Sequence, residues 1–356
     1  MSGNFIISSD FPGGNIIVDN LTGCHVKLRQ DYRNNGSWWF WWYFMIEGAS
    51  GQTLTFEFTD GDVFSSQGPC CNDGSGWIFL GPDVIKNNSF HFKFPERAKR
   101  YYFAFTIPYT NIELEKFLVE TPEITSESLA FTKEAREVKM ICLISDTRKY
   151  NVLLTARHHA CEAAASFVLE GIFEFWLQDA ELRRDIDLRS VPFADTDGVC
   201  KGDQGKNRIP HDHYMDYGPF IYAMPLALIE TIPLWPPTVV ALDLHDPYLK
   251  EKSIFFVGAN QGQEKIDCFT EILKKRQIGP LRYDGSADIP FGSGWNTDAL
   301  SLSNTRYLRD NKLADMAATI EIPYAQAGNT VISPEKLRAF GHDLGRSIKE
   351  YILCKY

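Results

Sequence analysis

The chain has 356 residues, of which 44% are hydrophobic and 23% charged, with a formal net charge of -10. That length accommodates two soluble domains, and the acidic excess argues against a nucleic-acid binder, because phosphate contacts need clustered Lys and Arg. No stretch reaches the roughly 18 consecutive apolar residues of a membrane span.

The first residues, Met1-Ser-Gly-Asn-Phe-Ile-Ile7, have neither the charged start nor the long apolar run of a secretory leader, so a cytoplasmic protein is expected. From 1 to 118 the chain is rich in Gly, Asn, Ser, Thr and aromatics, with alternating runs at 52–59 and 89–94. Such alternation predicts the antiparallel strands of a β-sandwich domain. The cluster Trp38-Trp-Phe-Trp-Trp-Tyr43 is expected to serve the sandwich core rather than a stacking surface for sugars or peptides. From 119 the texture turns acidic and helical. From Glu137, apolar runs at 138–145, 150–157, 188–193, 239–244, 253–258 and 317–323 predict strands, and 160–178 predicts a helix. Ser333-Pro334 supplies an N-cap and a first-turn proline for a closing helix to about Leu353. Residues 119–356 therefore read as a second, α/β domain. Eight cysteines, at 24, 70, 71, 142, 161, 200, 268 and 354, show neither a disulfide framework nor a zinc-ribbon spacing.

The chemistry concentrates in Thr155-Ala-Arg-His-His-Ala-Cys-Glu162, where a strand gives way to a helix and places His159 three residues before Glu162. His245, at the carboxyl end of the apolar run Thr238-Val-Val-Ala-Leu-Asp-Leu-His245, is the candidate third ligand. Zinc takes nitrogen and carboxylate ligands, and a catalytic site uses three of them with one position open. Val191-Pro-Phe-Ala-Asp-Thr-Asp-Gly-Val199, Gly202-Asp-Gln-Gly-Lys-Asn-Arg-Ile-Pro-His-Asp-His213 and Ala317-Ala-Thr-Ile-Glu321-Ile-Pro-Tyr-Ala325 complete the pattern.

In this order, these segments resemble the zinc carboxypeptidase superfamily, and more closely its cytosolic-carboxypeptidase-like branch. Phe11-Pro-Gly-Gly-Asn15, the Trp38 cluster and Phe103-Ala-Phe-Thr-Ile-Pro-Tyr-Thr110 are similar to the sandwich domain preceding the catalytic domain in that branch. The resemblance implies a mixed central sheet, one zinc per chain on His159, Glu162 and His245, and Glu321 as general base. It implies hydrolysis of an amide in a peptide or peptide-like substrate.

Two departures qualify it. Where the family carries an Arg beside the developing oxyanion this chain has Gly205, so Lys206 or Arg208 is expected to supply the charge. Where the family's Asn-Arg pair grips a terminal carboxylate, the chain reads His213-Tyr214-Met215-Asp216. Tyr214 can donate one hydrogen bond but cannot replace a guanidinium fork. Arg157 or Arg306 is then the expected cation for substrate. Tyr307, with Tyr283 as alternative, is expected to close over it. His211 and His213 are read as polar loop residues rather than a second metal site. Loss of the clamp leaves an amidase or deacylase of N-acyl amino acids as the second reading. A silent peptide- or sugar-binding module is the third, disfavoured because all three ligands and Glu321 are present.

Overall fold

The computed structural model describes residues 5–356. Two five-stranded sheets lie within the first 104 residues. One has the strand order Ile6–Ser8, Tyr43–Glu47, Arg100–Ala104, Cys70–Asn72, Trp77–Phe79; the other has the order Ile17–Thr22, His25–Arg29, Thr53–Phe58, Ser89–Lys93, Ile85–Lys86. Their pairings are antiparallel except between His25–Arg29 and Thr53–Phe58, which run parallel. Alternation fixes which face packs inward: in Thr53–Phe58, Leu54, Phe56 and Phe58 are buried, and they join Trp42, Phe44, Phe90 and Phe103 in an aromatic core.

A helix, Asn111–Glu120, follows and is opened by a capping box between Thr110 and Glu113. The stretch after it, expected to be helical, is instead an edge strand, Thr125–Phe131, exposed along most of its length. An edge strand exposed on both faces has no alternation to read.

The second sheet system has seven strands, in the order Thr125–Phe131, Glu137–Leu143, Ile186–Val191, Tyr150–Ala156, Thr238–His245, Met316–Glu321, Phe255–Val257. The four central strands are parallel, and antiparallel partners flank them on both sides, which makes the sheet mixed. Strands buried on both faces read as continuous apolar runs, which is why these were visible in the sequence. Val152, Leu154, Val240, Leu242, Ala318 and Ile320 face one side, beneath the helices Ala163–Gln178 and Pro334–Lys355. Leu153, Ala241 and Ala317 face the other, against Met224, Leu228 and Leu308. The two long helices approach closely at Gly171 and Gly341, where a Cβ would lie 2.1 Å from the Arg338 carbonyl oxygen and 2.2 Å from that of Val168 respectively.

Candidate active site and metal centre

The site forms at the carboxyl ends of the central parallel strands, where open α/β sheets place their ligands. Thr238–His245 and Met316–Glu321 pair in register, with Ala241 opposite Ala317, Asp243 opposite Thr319 and His245 opposite Glu321. In-register neighbours point to the same face, so His245 and Glu321 project together. The Tyr150–Ala156 strand delivers His158 and His159, and the helix begins at Ala163 rather than Ala160 because Glu162 occupies its N-cap. Asp246 locks this junction: its carboxylate accepts hydrogen bonds from Ala164 N at 2.8 Å and Ala165 N at 2.9 Å, tying the end of the His245 strand to the start of the helix. A carboxylate is favoured there by the unpaired N–H groups of the first turn.

His159, Glu162 and His245 gather into one buried group. His159 Nδ1 lies 2.8 Å from Glu162 Oε1, His245 Nδ1 lies 2.8 Å from Glu162 Oε2, and the two Nδ1 atoms are 3.2 Å apart. Ligands on a tetrahedral zinc with bonds of about 2.0–2.2 Å sit about 3.3–3.6 Å apart, a few tenths of an ångström wider than this triad. Glu162 Oε2 is buried and has no well-aligned hydrogen-bond partner, despite its short distance to His245. The far ring nitrogens also face carboxylates: His245 Nε2 is 3.1 Å from Asp243 Oδ2, and His159 Nε2 is 3.5 Å from Asp212 Oδ2. Carboxylates behind ligating histidines fix ring orientation and tautomer. Two nitrogens and a carboxylate with such support fit zinc.

Asp243 also accepts from His158 Nδ1 at 2.9 Å and from Thr155 Oγ1 at 2.8 Å, and His158 Nε2 meets the Tyr217 hydroxyl at 2.8 Å. Asp243, Asp246 and Asp212 were not singled out in the sequence. Asp243 had a signal, since it stands two residues before His245 and so shares its face.

Glu321 is buried beside this triad. Burial raises its carboxyl above the usual carboxylate range, against the pull of Lys206 and His245. Burial also raises the Glu162 carboxyl, but His159, Lys206 and His245 outweigh it and hold the group well below that range. Lys206 Nζ is 3.3 Å from Glu162 Oε1. Burial favours its neutral form, yet Glu162, Glu321 and Asp212 hold its ammonium above the ordinary lysine value. The structure thus brings Lys206 to the triad and turns Arg208 away, into ion pairs with Asp195 and Asp203. The backbone at Gly205, next to Lys206, leaves no room for any side chain. Its φ is +83°, and a Cβ on it would lie 2.1 Å from Ala160 N and 2.8 Å from the His159 carbonyl carbon.

The cleft above the triad, about 460 Å³, is lined by Lys206, Asp212, Tyr214, Met215 and Glu321 together with Trp39, Tyr248, Glu251, Phe255 and Trp295. The Tyr214 hydroxyl is 3.3 Å from Thr319 Oγ1.

Other candidates lie elsewhere. Arg157 is a buried strut, donating to the carbonyls of Ala160 and Tyr109 and to Ser166 Oγ, because it must satisfy its donors inside the core. Tyr307 packs against Phe220 and Tyr217 away from the cleft, Tyr283 donates to Asp288, and Arg306 pairs with Asp298. His211 pairs with Asp216, and His213 stacks on Tyr222 at 3.7 Å; neither belongs to a metal-binding group among the described residues. The aromatic cluster divides. Phe40, Trp41 and Trp42 are core, while Trp39 reaches the cleft.

Residues 7–106 match the family model of the cytosolic carboxypeptidase N-terminal domain. Cytosolic carboxypeptidase 6 of Caenorhabditis elegans is 25% identical over 377 residues, covering 90% of this chain and 79% of that protein. Cytosolic carboxypeptidase 3 of Mus musculus is 27% identical over 169 residues, covering 39% of this chain and 17% of that protein. Among solved structures, the metallo-carboxypeptidase from Burkholderia cenocepacia superposes with a TM-score of 0.82 at 18% identity, over 99% of this chain and 100% of that one. The metallo-carboxypeptidase from Pseudomonas aeruginosa in complex with (2-guanidinoethylmercapto)succinic acid gives 0.78 at 19% identity, over 98% and 99% of the two chains. The likeness in fold runs through both halves.

Proposed function

We propose that this chain is a member of the cytosolic-carboxypeptidase-like branch of the zinc carboxypeptidase superfamily and a zinc-dependent hydrolase of a peptide or peptide-like amide. The observation that carries the reading is the convergence of His159 Nδ1, Glu162 and His245 Nδ1 beside Glu321 in one cleft. Bound there, zinc supplies an activated water near neutral pH and polarises the scissile carbonyl.

Glu321 takes the proton of the attacking water and returns it to the leaving amine, so one carboxylate serves both steps. Lys206 is the positive group for the developing oxyanion, a role a preorganised cation fills best in a water-poor cleft. Tyr214 offers a hydroxyl to substrate. A cytoplasmic location accords with the named relatives.

A second reading, an amidase or deacylase of N-acyl amino acids, is favoured by the cleft itself: Tyr214 and Met215 line it and no arginine does. Lack of a guanidinium fork relaxes the demand for a free terminal carboxylate.

Loading the protein with zinc and comparing wild type with Glu321→Gln on blocked dipeptides tests the proposal. We expect retained metal and a rate at least about a hundredfold lower in the variant. Equal rates would remove Glu321 from the chemistry.

A further inference from the structure

The first 104 residues contribute more than a neighbouring domain to the cleft. Their loop 34–41 is bonded to the loop that carries Lys206. Asn35 Nδ2 donates to the Lys206 carbonyl at 2.6 Å, Gly36 N donates to the Asn207 carbonyl at 2.8 Å, and Ile209 N donates to the Asn34 carbonyl at 2.9 Å. Trp41 and Gln204 exchange two further bonds, at 2.7 and 2.8 Å. At the end of this brace, Trp39 enters the cleft wall and meets Tyr248 edge to face, with ring centroids 6.0 Å apart.

Trp39 differs from its neighbours in what its ring does. The indole N–H of Trp41 donates to the Gly13 carbonyl at 3.1 Å and that of Trp42 to the Val63 carbonyl at 2.8 Å, as buried indoles do. The buried Trp39 N–H has no partner among the described residues. Trp39 is therefore not held by a hydrogen bond of its ring as its neighbours are, and its place is set by packing at the cleft wall against Tyr248.

The charge of the cleft is equally telling. Its lining holds one cation other than histidine, Lys206, which Glu162 already engages. Against it stand Asp212, Glu251 and Glu321. Glu251 uses Oε1 to accept from Lys252 N and Ser253 N, both at 2.8 Å, and forms no ion pair among the described residues. Apart from the two histidines, the rest is apolar or aromatic, Trp39, Tyr214, Met215, Tyr248, Phe255 and Trp295 among it. Tyr248 and Trp295 keep 52% and 48% of their surface open to solvent at this rim.

We infer that Trp39, supplied by the N-terminal sheets, is a substrate-binding residue, and that the cleft takes peptides with aromatic or apolar side chains and discriminates against acidic ones. This deepens the hydrolase reading and rests on the same cleft. A ring stacks on Trp39 and Tyr248 at little desolvation penalty, whereas a side-chain carboxylate would be buried without a free cation and beside Glu251.

The test is calorimetric binding to the metal-free wild-type protein, which removes turnover from the readout. The probes are two blocked, amidated dipeptides, acetyl-Phe-Phe-amide and acetyl-Phe-Glu-amide. We expect the first to bind at least tenfold more tightly. Trp39→Leu should weaken it at least fivefold with Trp39→Phe recovering part of the loss, and Glu251→Gln should strengthen only the Glu peptide. Equal or reversed affinities, no binding of either peptide, or indifference to both Trp39→Leu and Glu251→Gln would overturn the inference. The expected order of affinities without hydrolysis by the zinc-loaded enzyme would count against the proposed function instead.

Discussion

Gly205→Ala should damage the metal centre even though Gly205 ligates nothing. Gly205 sits at φ +83°, and its Cβ would stand 2.1 Å from Ala160 N and 2.8 Å from both the carbonyl carbon and Cα of His159. A non-glycine residue in the left-handed region costs roughly 1–2 kcal/mol. Relieving an overpacked contact costs roughly 1–3 kcal/mol more. The contact is with backbone, so no side chain can rotate away. The His159 segment is pinned, because Arg157 donates to the Ala160 carbonyl and Cys161 N donates to the Gln204 carbonyl at 3.2 Å. Either His159 shifts or the Lys206 loop swings out. We therefore expect a loss of about 2–5 kcal/mol in unfolding free energy, the sum of those two ranges. Zinc affinity should fall at least about tenfold, the scale of losing a ligand-orienting contact. Gly262→Ala is the control: its φ is +73° but nothing lies within 4 Å of the added Cβ, so it should show only the backbone cost. Urea denaturation and chelator competition read both quantities. If Gly205→Ala matches Gly262→Ala in stability and binds zinc like wild type, the close approach to His159 does not constrain the site.

Asp243→Asn should keep the fold and weaken zinc about 10- to 100-fold, because it removes the charge behind His245 and disturbs the His158 and Thr155 bonds; chelator competition would show it, and unchanged affinity would refute the orienting role. His213 is buried, and burial lowers its imidazole pKa below the usual value of about 6.5. The unfolded chain then binds more protons than the native state, so this contribution is present above pH 6.5 and is lost as pH falls below it. Unfolding free energies of the metal-free protein between pH 7.5 and 5.5 should fall less steeply in His213→Gln; identical slopes would contradict the assignment.

The grouping of His159, Glu162 and His245 with Glu321 is legible because each stands beside a strong local pattern. Continuous apolar runs mark Thr238–His245 and Met316–Glu321 as buried strands, and the strand-to-helix change marks His159 and Glu162. The second half of the fold was readable for the same reason. What escaped depends on contacts distant in sequence. Nothing local distinguishes Trp39 from Trp41 and Trp42; the difference arises only where loop 34–41 meets the Lys206 loop. Lys206 and Arg208 are equivalent as charges in sequence, and the choice is made by Asp195 and Asp203, which hold the arginine. Arg157, a plausible substrate cation beside two histidines, is drawn inward by the carbonyls of Tyr109 and Ala160. Helices such as Gln263–Arg276 and Asn304–Asp310 leave a weaker mark on the sequence because they are short or mostly polar.

His159, Glu162 and His245 are proposed to hold a single zinc. Anomalous scattering at the zinc edge from crystals of the zinc-loaded wild type tests this directly. One peak per chain is expected, about 2.0–2.2 Å from His159 Nδ1, His245 Nδ1 and a Glu162 oxygen, the bond lengths such ligands make. A zinc-loaded crystal with no peak there, or with its peak on the His158, Asp243 and His245 group instead, would contradict it.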